Sequence, residues 1–198
     1  MAKLATTRKV IADYFTQPIV RLLSRTPLTP NILTWIGFGI TVIAGALVVT
    51  EHLLAAGIVV LVVGLFDMLD GALARITGKV TRFGAILDST LDRISEAVVL
   101  LSLLAIFAEG RQVTESVLVG VALLGSFMVS YIRARMEGLG IECKAGLFTR
   151  PERVIVLALG LLLSQFNYAL LTALSIITFF SWLTVIERMV YAWRKLKD

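Results

Sequence analysis

DMLDGALARITGKVTRFGAILDSTLD, residues 67–92, joins two strongly apolar segments and places four aspartates, an arginine and the small residues Gly71, Ala74 and Gly84 at their junction. Carboxylates beside lipid-spanning sequence are costly and by default mark a functional site with a counter-charge. Asp67 and Asp70 are three residues apart and Asp88 and Asp92 four apart, so on helices each pair shares one face. If the two helices run antiparallel, the four carboxylates converge on one point.

The composition places this stretch in a membrane. The chain has 198 residues, 58% of them hydrophobic and 17% charged, with a mean hydropathy of +0.88. Soluble domains run at about 45–50% apolar and about 25% charged. The lone Cys143 cannot form an internal disulfide. The net charge of +5 invites a nucleic-acid reading, but the basic residues sit at the ends of apolar runs. That pattern reads as membrane topology and attraction to anionic headgroups, with no nucleic-acid partner.

In chain order, residues 1–25 hold Leu4, Ile11, Tyr14, Phe15, Ile19, Leu22 and Leu23 at helical spacing, with Arg8, Lys9, Asp13, Gln17 and Arg21 on other faces. This predicts an amphipathic helix lying in the membrane interface, and no cleavable signal peptide is evident. Thr29-Pro30-Asn31 is a helix start, with Thr29 or Asn31 as cap. Six spans follow: Ile32 to Thr50, Leu53 to about Arg75, Gly84 to Phe107, Val113 to Met136, Pro151 to about Ser164, and about Tyr168 to Tyr191. The fifth is short for a crossing. The chain is thus expected to be one all-α membrane domain over residues 1–198, its six-helix core spanning 31–193. No internal repeat of the inverted-transporter kind is present.

Charge distribution gives the orientation. With six spans and both ends on one side, only Arg111 of the 19 Lys and Arg lies opposite. The positive-inside rule then makes both termini and the acidic stretch cytoplasmic, in a multi-pass protein of the plasma or inner membrane.

Four carboxylates in one low-dielectric place repel each other unless a cation joins them, and no equal number of buried basic partners is evident nearby. Oxygen-only ligands favour Mg²⁺, Mn²⁺ or Ca²⁺ over zinc, and Mg²⁺ prefers a few carboxylates completed by substrate phosphates. A site at the membrane's cytoplasmic edge, with Arg75 beside it, suits a phosphorylated lipid or nucleotide.

Asp67-x-x-Asp70-Gly71-x-x-Ala74-Arg75, then eight residues, Gly84, three residues, Asp88, three residues and Asp92 resembles the full signature of the CDP-alcohol phosphotransferase (CDP-alcohol phosphatidyltransferase) family. The resemblance extends to the layout of an interfacial helix and six transmembrane helices. It implies a homodimeric enzyme of the 2.7.8 class that transfers a substituted phosphate from a CDP-linked donor to an alcohol and releases CMP. By the same resemblance Asp67, Asp70, Asp88 and Asp92 are metal ligands for one or two Mg²⁺ (or Mn²⁺) ions, and Asp92 is also the general base. Asn31, Ile32, Leu33, Thr34, Gly71, Arg75 and Thr81 match the family's donor-binding positions.

The strings FDMLDGALAR, TRFGAILDSTLDR, SYIRARME and RPERVI are similar to the subgroup that makes phosphatidylinositol phosphate from CDP-diacylglycerol and inositol 1-phosphate. There a basic pocket holds the acceptor phosphate, and the matching positions here are Arg133, Arg153 and Arg188. That subgroup often has lysine at Arg133, whereas arginine also occurs in archaetidylinositol phosphate synthases, whose donor has ether-linked chains. Glycerol 3-phosphate as acceptor, giving phosphatidylglycerol phosphate, is the rival within the enzyme class. A cation or proton transporter is the rival outside it; the aspartates cluster at one edge, away from the bilayer midplane where a transport site belongs.

Overall fold

The computed structural model describes residues 28–143 and 145–197, together with Val20 and Leu22. Among these are six helices and no strand: α1 (Pro30–Val49), α2 (Leu53–Thr77), α3 (Arg82–Glu109), α4 (Val113–Gly138), α5 (Arg150–Leu162) and α6 (Ala169–Lys197). The all-α expectation holds. The interfacial helix expected over residues 1–25 lies outside the described residues, except that Val20 is buried against Leu33, Leu69 and Leu73.

Four helices, α1, α2, α4 and α6, are long and apolar enough to cross a membrane. The six expected crossings are therefore supported at four places by length and composition. α3 has the length, but Asp88, Asp92, Arg93 and Glu96 charge its first half. α5 has only 13 residues, about 20 Å of helix against a hydrocarbon core of about 30 Å.

Local chemistry sets the helix ends that matter. Thr29 caps α1, its hydroxyl accepting the Ile32 N–H at 3.3 Å, with Pro30 in the first turn. Asn31 is thereby not the cap. Gly78, at φ 66°, ends α2 in the left-handed conformation that glycine adopts without strain. Thr81 caps α3 by accepting the Gly84 N–H at 2.9 Å. At the start of α5 the Glu152 carboxylate accepts from the Thr149 N–H at 2.8 Å and from its hydroxyl at 2.5 Å.

The helices form a closed ring in the neighbour order α1, α3, α4, α6, α5, α2. One apolar cluster, including Val60, Leu100, Leu103, Leu157, Leu161 and Ile177, joins them. α5 fits because glycine lets it approach closely: a Cβ at Gly57 of α2 would lie 2.9 Å from the Leu162 backbone nitrogen, and one at Gly160 would lie 2.5 Å from the Ala173 Cβ. This seating brings the first turn of α5, with Arg150 and Arg153, against the acidic ends of α2 and α3.

Candidate active site

The link over residues 78–81 is short enough to reverse the chain, so α2 and α3 run antiparallel on the two sides of α1. Asp67 and Asp92 consequently face each other across the ring, and a third helix joins them. Nη1 of Arg150 lies 2.7 Å from Oδ2 of Asp67 and 2.7 Å from Oδ1 of Asp92. The aspartates have no equal number of basic partners, as expected, but two of the four share one that the sequence reading did not name, Arg150. The guanidinium comes from the far side of the sequence, which no local pattern around residues 67–92 encodes.

Asp70 is 4% exposed and accepts the Thr34 hydroxyl at 2.8 Å. The same hydroxyl lies 3.1 Å from the Pro30 carbonyl. Beside Asp70 is a cavity of about 200 Å³ lined by Asn31, Thr34, Gly71, Arg75, Lys79, Thr81, Gly84 and Asp88, among others. Five of the expected donor-binding residues are thus brought together: Asn31, Thr34, Gly71, Arg75 and Thr81. Ile32 and Leu33 are not among its lining. Ile32 is exposed, and Leu33 is buried in the small cluster with Leu69 and Leu73. Successive side chains turn by about 100° around a helix, so a continuous run of four residues cannot all face one cavity.

A second cavity, of about 440 Å³, opens on the other side of Asp88 and is lined by Asp88, Asp92, Arg133, Arg150, Arg153 and Arg188 with neighbouring residues. All three expected acceptor arginines are there, each with a partner. Arg133 is exposed and pairs with Glu137 at 2.8 Å. Arg153 is 2% exposed and meets Glu96 two-on-two, at 2.6 and 2.8 Å. Arg188 donates to the carbonyls of Ala145, at 3.1 Å, and Val129. Glu96 escaped the sequence reading although a signal was available: Asp88, Asp92 and Glu96 follow one another at four-residue spacing along one face of α3.

The donor set suits a hard divalent cation: four carboxylates, oxygen ligands only, on two facing helices. Among the described residues no group of three or more carboxylate, imidazole or thiolate side chains is drawn tightly enough together to hold an ion. What Asp67 and Asp92 share instead is a guanidinium, so the pair is already arranged around a positive charge.

Comparison with known proteins agrees with this geometry. The sequence model of the CDP-alcohol phosphatidyltransferase family matches residues 27–191. An archaetidylinositol phosphate synthase of Pyrococcus horikoshii is 40% identical over an alignment covering 91% of this chain and 94% of that protein. The crystal structure of Mycobacterium tuberculosis phosphatidylinositol phosphate synthase with CDP-DAG bound superimposes with a TM-score of 0.82, at 37% identity, covering 90% of this chain and 93% of that one. A second crystal structure of the mycobacterial enzyme, in complex with manganese and citrate, gives 0.81 at 37% identity over 90% and 88% of the two chains.

Proposed function

The chain belongs to the CDP-alcohol phosphatidyltransferase family, and on that premise we propose that it transfers the phosphatidyl group of CDP-diacylglycerol to inositol 1-phosphate, giving phosphatidylinositol phosphate and CMP. The observation that carries this reading is the pair of cavities sharing Asp88 and Ala85 in their walls. One holds the residues suited to a nucleotide-linked donor. The other gathers five arginines, a lining suited to an acceptor that itself bears a phosphate.

In the reaction an acceptor hydroxyl attacks the phosphorus that carries the lipid, and the bond from that phosphorus to the CMP oxygen breaks. Asp92, in the wall of the arginine-lined cavity, takes the hydroxyl proton; a positioned base contributes about 10²–10⁴-fold. Arg133, Arg153 and Arg188 orient the acceptor phosphate. Asn31, Thr34, Gly71, Arg75 and Thr81 surround the donor's nucleotide end. Asp67, Asp70, Asp88 and Asp92 hold one or two Mg²⁺ or Mn²⁺ ions, which when bound neutralise charge on the diphosphate and the departing CMP. The metal dependence is carried by the donor chemistry of the aspartates and by the manganese complex of the mycobacterial relative.

For the membrane arrangement, we infer that all six helices cross, with both termini and the acidic site cytoplasmic, in a homodimer. Successive connections over residues 50–52, 78–81 and 110–112 are short enough to reverse the chain each time, and the Lys and Arg distribution supports the orientation. Cysteine labelling from either side of sealed vesicles tests it, with Arg111→Cys expected to react only from outside.

The direct experiment on activity incubates purified protein with CDP-diacylglycerol, Mg²⁺ and each acceptor in turn, reading CMP release and lipid product. Product with inositol 1-phosphate supports the assignment; product with glycerol 3-phosphate alone overturns it. The 40% identity to an archaetidylinositol phosphate synthase favours a second reading of the donor, in which the tails are ether-linked. A parallel arm with the ether-linked CDP donor decides between them.

A further inference from the structure

Arg150 is the first residue of α5, yet its contacts are made with α2 and α3. A single nitrogen, Nη1, serves both Asp67 and Asp92, at 2.7 Å each. The parallel fork that makes an arginine–carboxylate pair specific is absent at Arg150 and present one turn later, where Arg153 holds Glu96 with two nitrogens on two oxygens. Nε of Arg150 is buried with no hydrogen-bond partner. The side chain is therefore retained by charge at its tip, shared between two groups that the family reaction needs for other work.

Arg150 also lines the arginine-rich cavity. Of the five arginines there, Arg153 is committed to Glu96, Arg188 and Arg93 to backbone carbonyls, and Arg133 to Glu137. Arg150 alone has partners that a divalent ion would claim. A cation bound at Asp67 and Asp92 repels the guanidinium and takes its acceptor oxygens. Asp88 would be claimed by the same ion and Glu96 is already held two-on-two by Arg153, so the uncommitted place of opposite charge for it is an anion in the cavity it already lines.

We propose that Arg150 is the internal counter-cation of the carboxylate cluster, that a divalent ion displaces it from Asp67 and Asp92, and that the displaced guanidinium binds the acceptor's phosphate in the adjoining cavity. This rests on the reading of the aspartates as the ion site. Because coupling between two binding events is reciprocal, ion and phosphate each strengthen the other's binding through one side chain. The acceptor site is thereby completed when the ion is in place.

The test uses the full-length protein in detergent, with Mn²⁺ binding followed by electron paramagnetic resonance and inorganic phosphate binding by calorimetry, with and without Mn²⁺. In the unaltered protein, saturating Mn²⁺ tightens phosphate binding about tenfold or more, in the usual range of site-to-site coupling. Arg150→Gln, which preserves most of the side chain's packing, is expected to tighten Mn²⁺ binding about tenfold in the absence of phosphate and to shrink the Mn²⁺–phosphate coupling severalfold. Arg150→Ala gives the same signs; helicity and thermal unfolding of both variants establish that they are folded. Mn²⁺ affinity that is unchanged or weaker in the folded variants overturns the role of Arg150. Replacing Asp67, Asp70 and Asp88 together by Asn separates the two levels: if this leaves Mn²⁺ binding intact in a folded variant, the aspartates are not the ion site and both readings fall. If it abolishes Mn²⁺ binding while Arg150→Gln leaves it unmoved, only the displacement proposal is lost.

Discussion

Nε and Nη2 of Arg153 hold Oε1 and Oε2 of Glu96 at 2.6 and 2.8 Å, with the two residues 2% and 8% exposed. This pair crosses the ring from α5 to α3 one helical turn beyond Asp92, and its planar geometry sets the plane of the guanidinium. The third nitrogen, Nη1, is buried without a partner. An arginine tied on one side and unsatisfied on the other is oriented for a further anion, which is what an acceptor phosphate supplies.

Removing Glu96 should therefore have two separable effects. Glu96→Ala leaves a buried guanidinium unpaired and is expected to cost about 3 kcal/mol or more of stability, read from denaturant or thermal unfolding in detergent. Glu96→Gln retains one acceptor oxygen and is expected to unfold closer to the parent. In that variant the acceptor KM should rise more than the donor KM. Equal changes in both would make Glu96 a structural partner only.

Arg133 provides the contrast. Its pair with Glu137 is exposed, 56% and 49% at the side chains, and such pairs contribute about 0–1 kcal/mol to stability. Arg133→Ala is expected to leave the unfolding midpoint almost unmoved while raising the acceptor KM about tenfold, the scale of one charge-assisted hydrogen bond. Arg133→Lys should recover most of that loss. A KM unaffected by both changes would remove Arg133 from the acceptor site.

These two arginines show how far the sequence can be read. The aspartates at residues 67–92 were legible because helical spacing is local, and their placement at the α2–α3 junction followed from it. Asn31, Thr34, Gly71, Arg75 and Thr81 also come together as the family pattern implies. Arg150 was not legible as a partner: its ion pairs to Asp67 and Asp92 are long-range, created by seating α5 on Gly57. Periodicity reports which face a residue occupies, not which distant charge meets it. α3 and α5 expose a related limit: both were expected as spans, but charge in one and shortness in the other leave length and composition supporting only α1, α2, α4 and α6 as membrane crossings.

The Thr34 hydroxyl, 2.8 Å from Oδ2 of Asp70, holds a carboxylate that is otherwise nearly enclosed. Groups that orient metal ligands are typically worth about 10–100-fold in ion affinity. Thr34→Val, which keeps the β-branched shape and loses the hydroxyl, should weaken Mn²⁺ binding by about that factor and shift the Mg²⁺ concentration needed for half-maximal activity upward in parallel. Unchanged ion affinity would show that Asp70 needs no such support.

Gly84 seats the start of α3 close against the start of α1. A Cβ there would lie 2.9 Å from the Thr81 Oγ1 and 3.0 Å from the Asn31 Oδ1. Thr81 cannot yield freely, since the same oxygen accepts the Gly84 N–H as the cap of α3. Gly84→Ala is expected to lose about 1 kcal/mol, the scale of a helix cap. By displacing Asn31 or Thr81 in the cavity proposed for the donor it should also raise the donor KM with little change in acceptor KM. The reverse pattern would place the donor elsewhere.

Asp92 is the sharpest test of the chemistry because two roles meet in one side chain. It lines the arginine-rich cavity and receives Arg150 on Oδ1, so it stands between Asp67 and the arginines proposed to hold the acceptor. Asp92→Asn keeps the shape and removes the charge. If Asp92 takes the acceptor's proton, turnover should fall by at least about 10²-fold, while donor binding through Asn31, Thr34, Gly71, Arg75 and Thr81 is retained. Chelation with EDTA should also stop turnover in the unaltered enzyme, but there Mg²⁺ or Mn²⁺ restores it; in Asp92→Asn excess ion should not. Restoration by ion would assign Asp92 to metal binding alone, and near-parent turnover without excess ion would remove it from both roles.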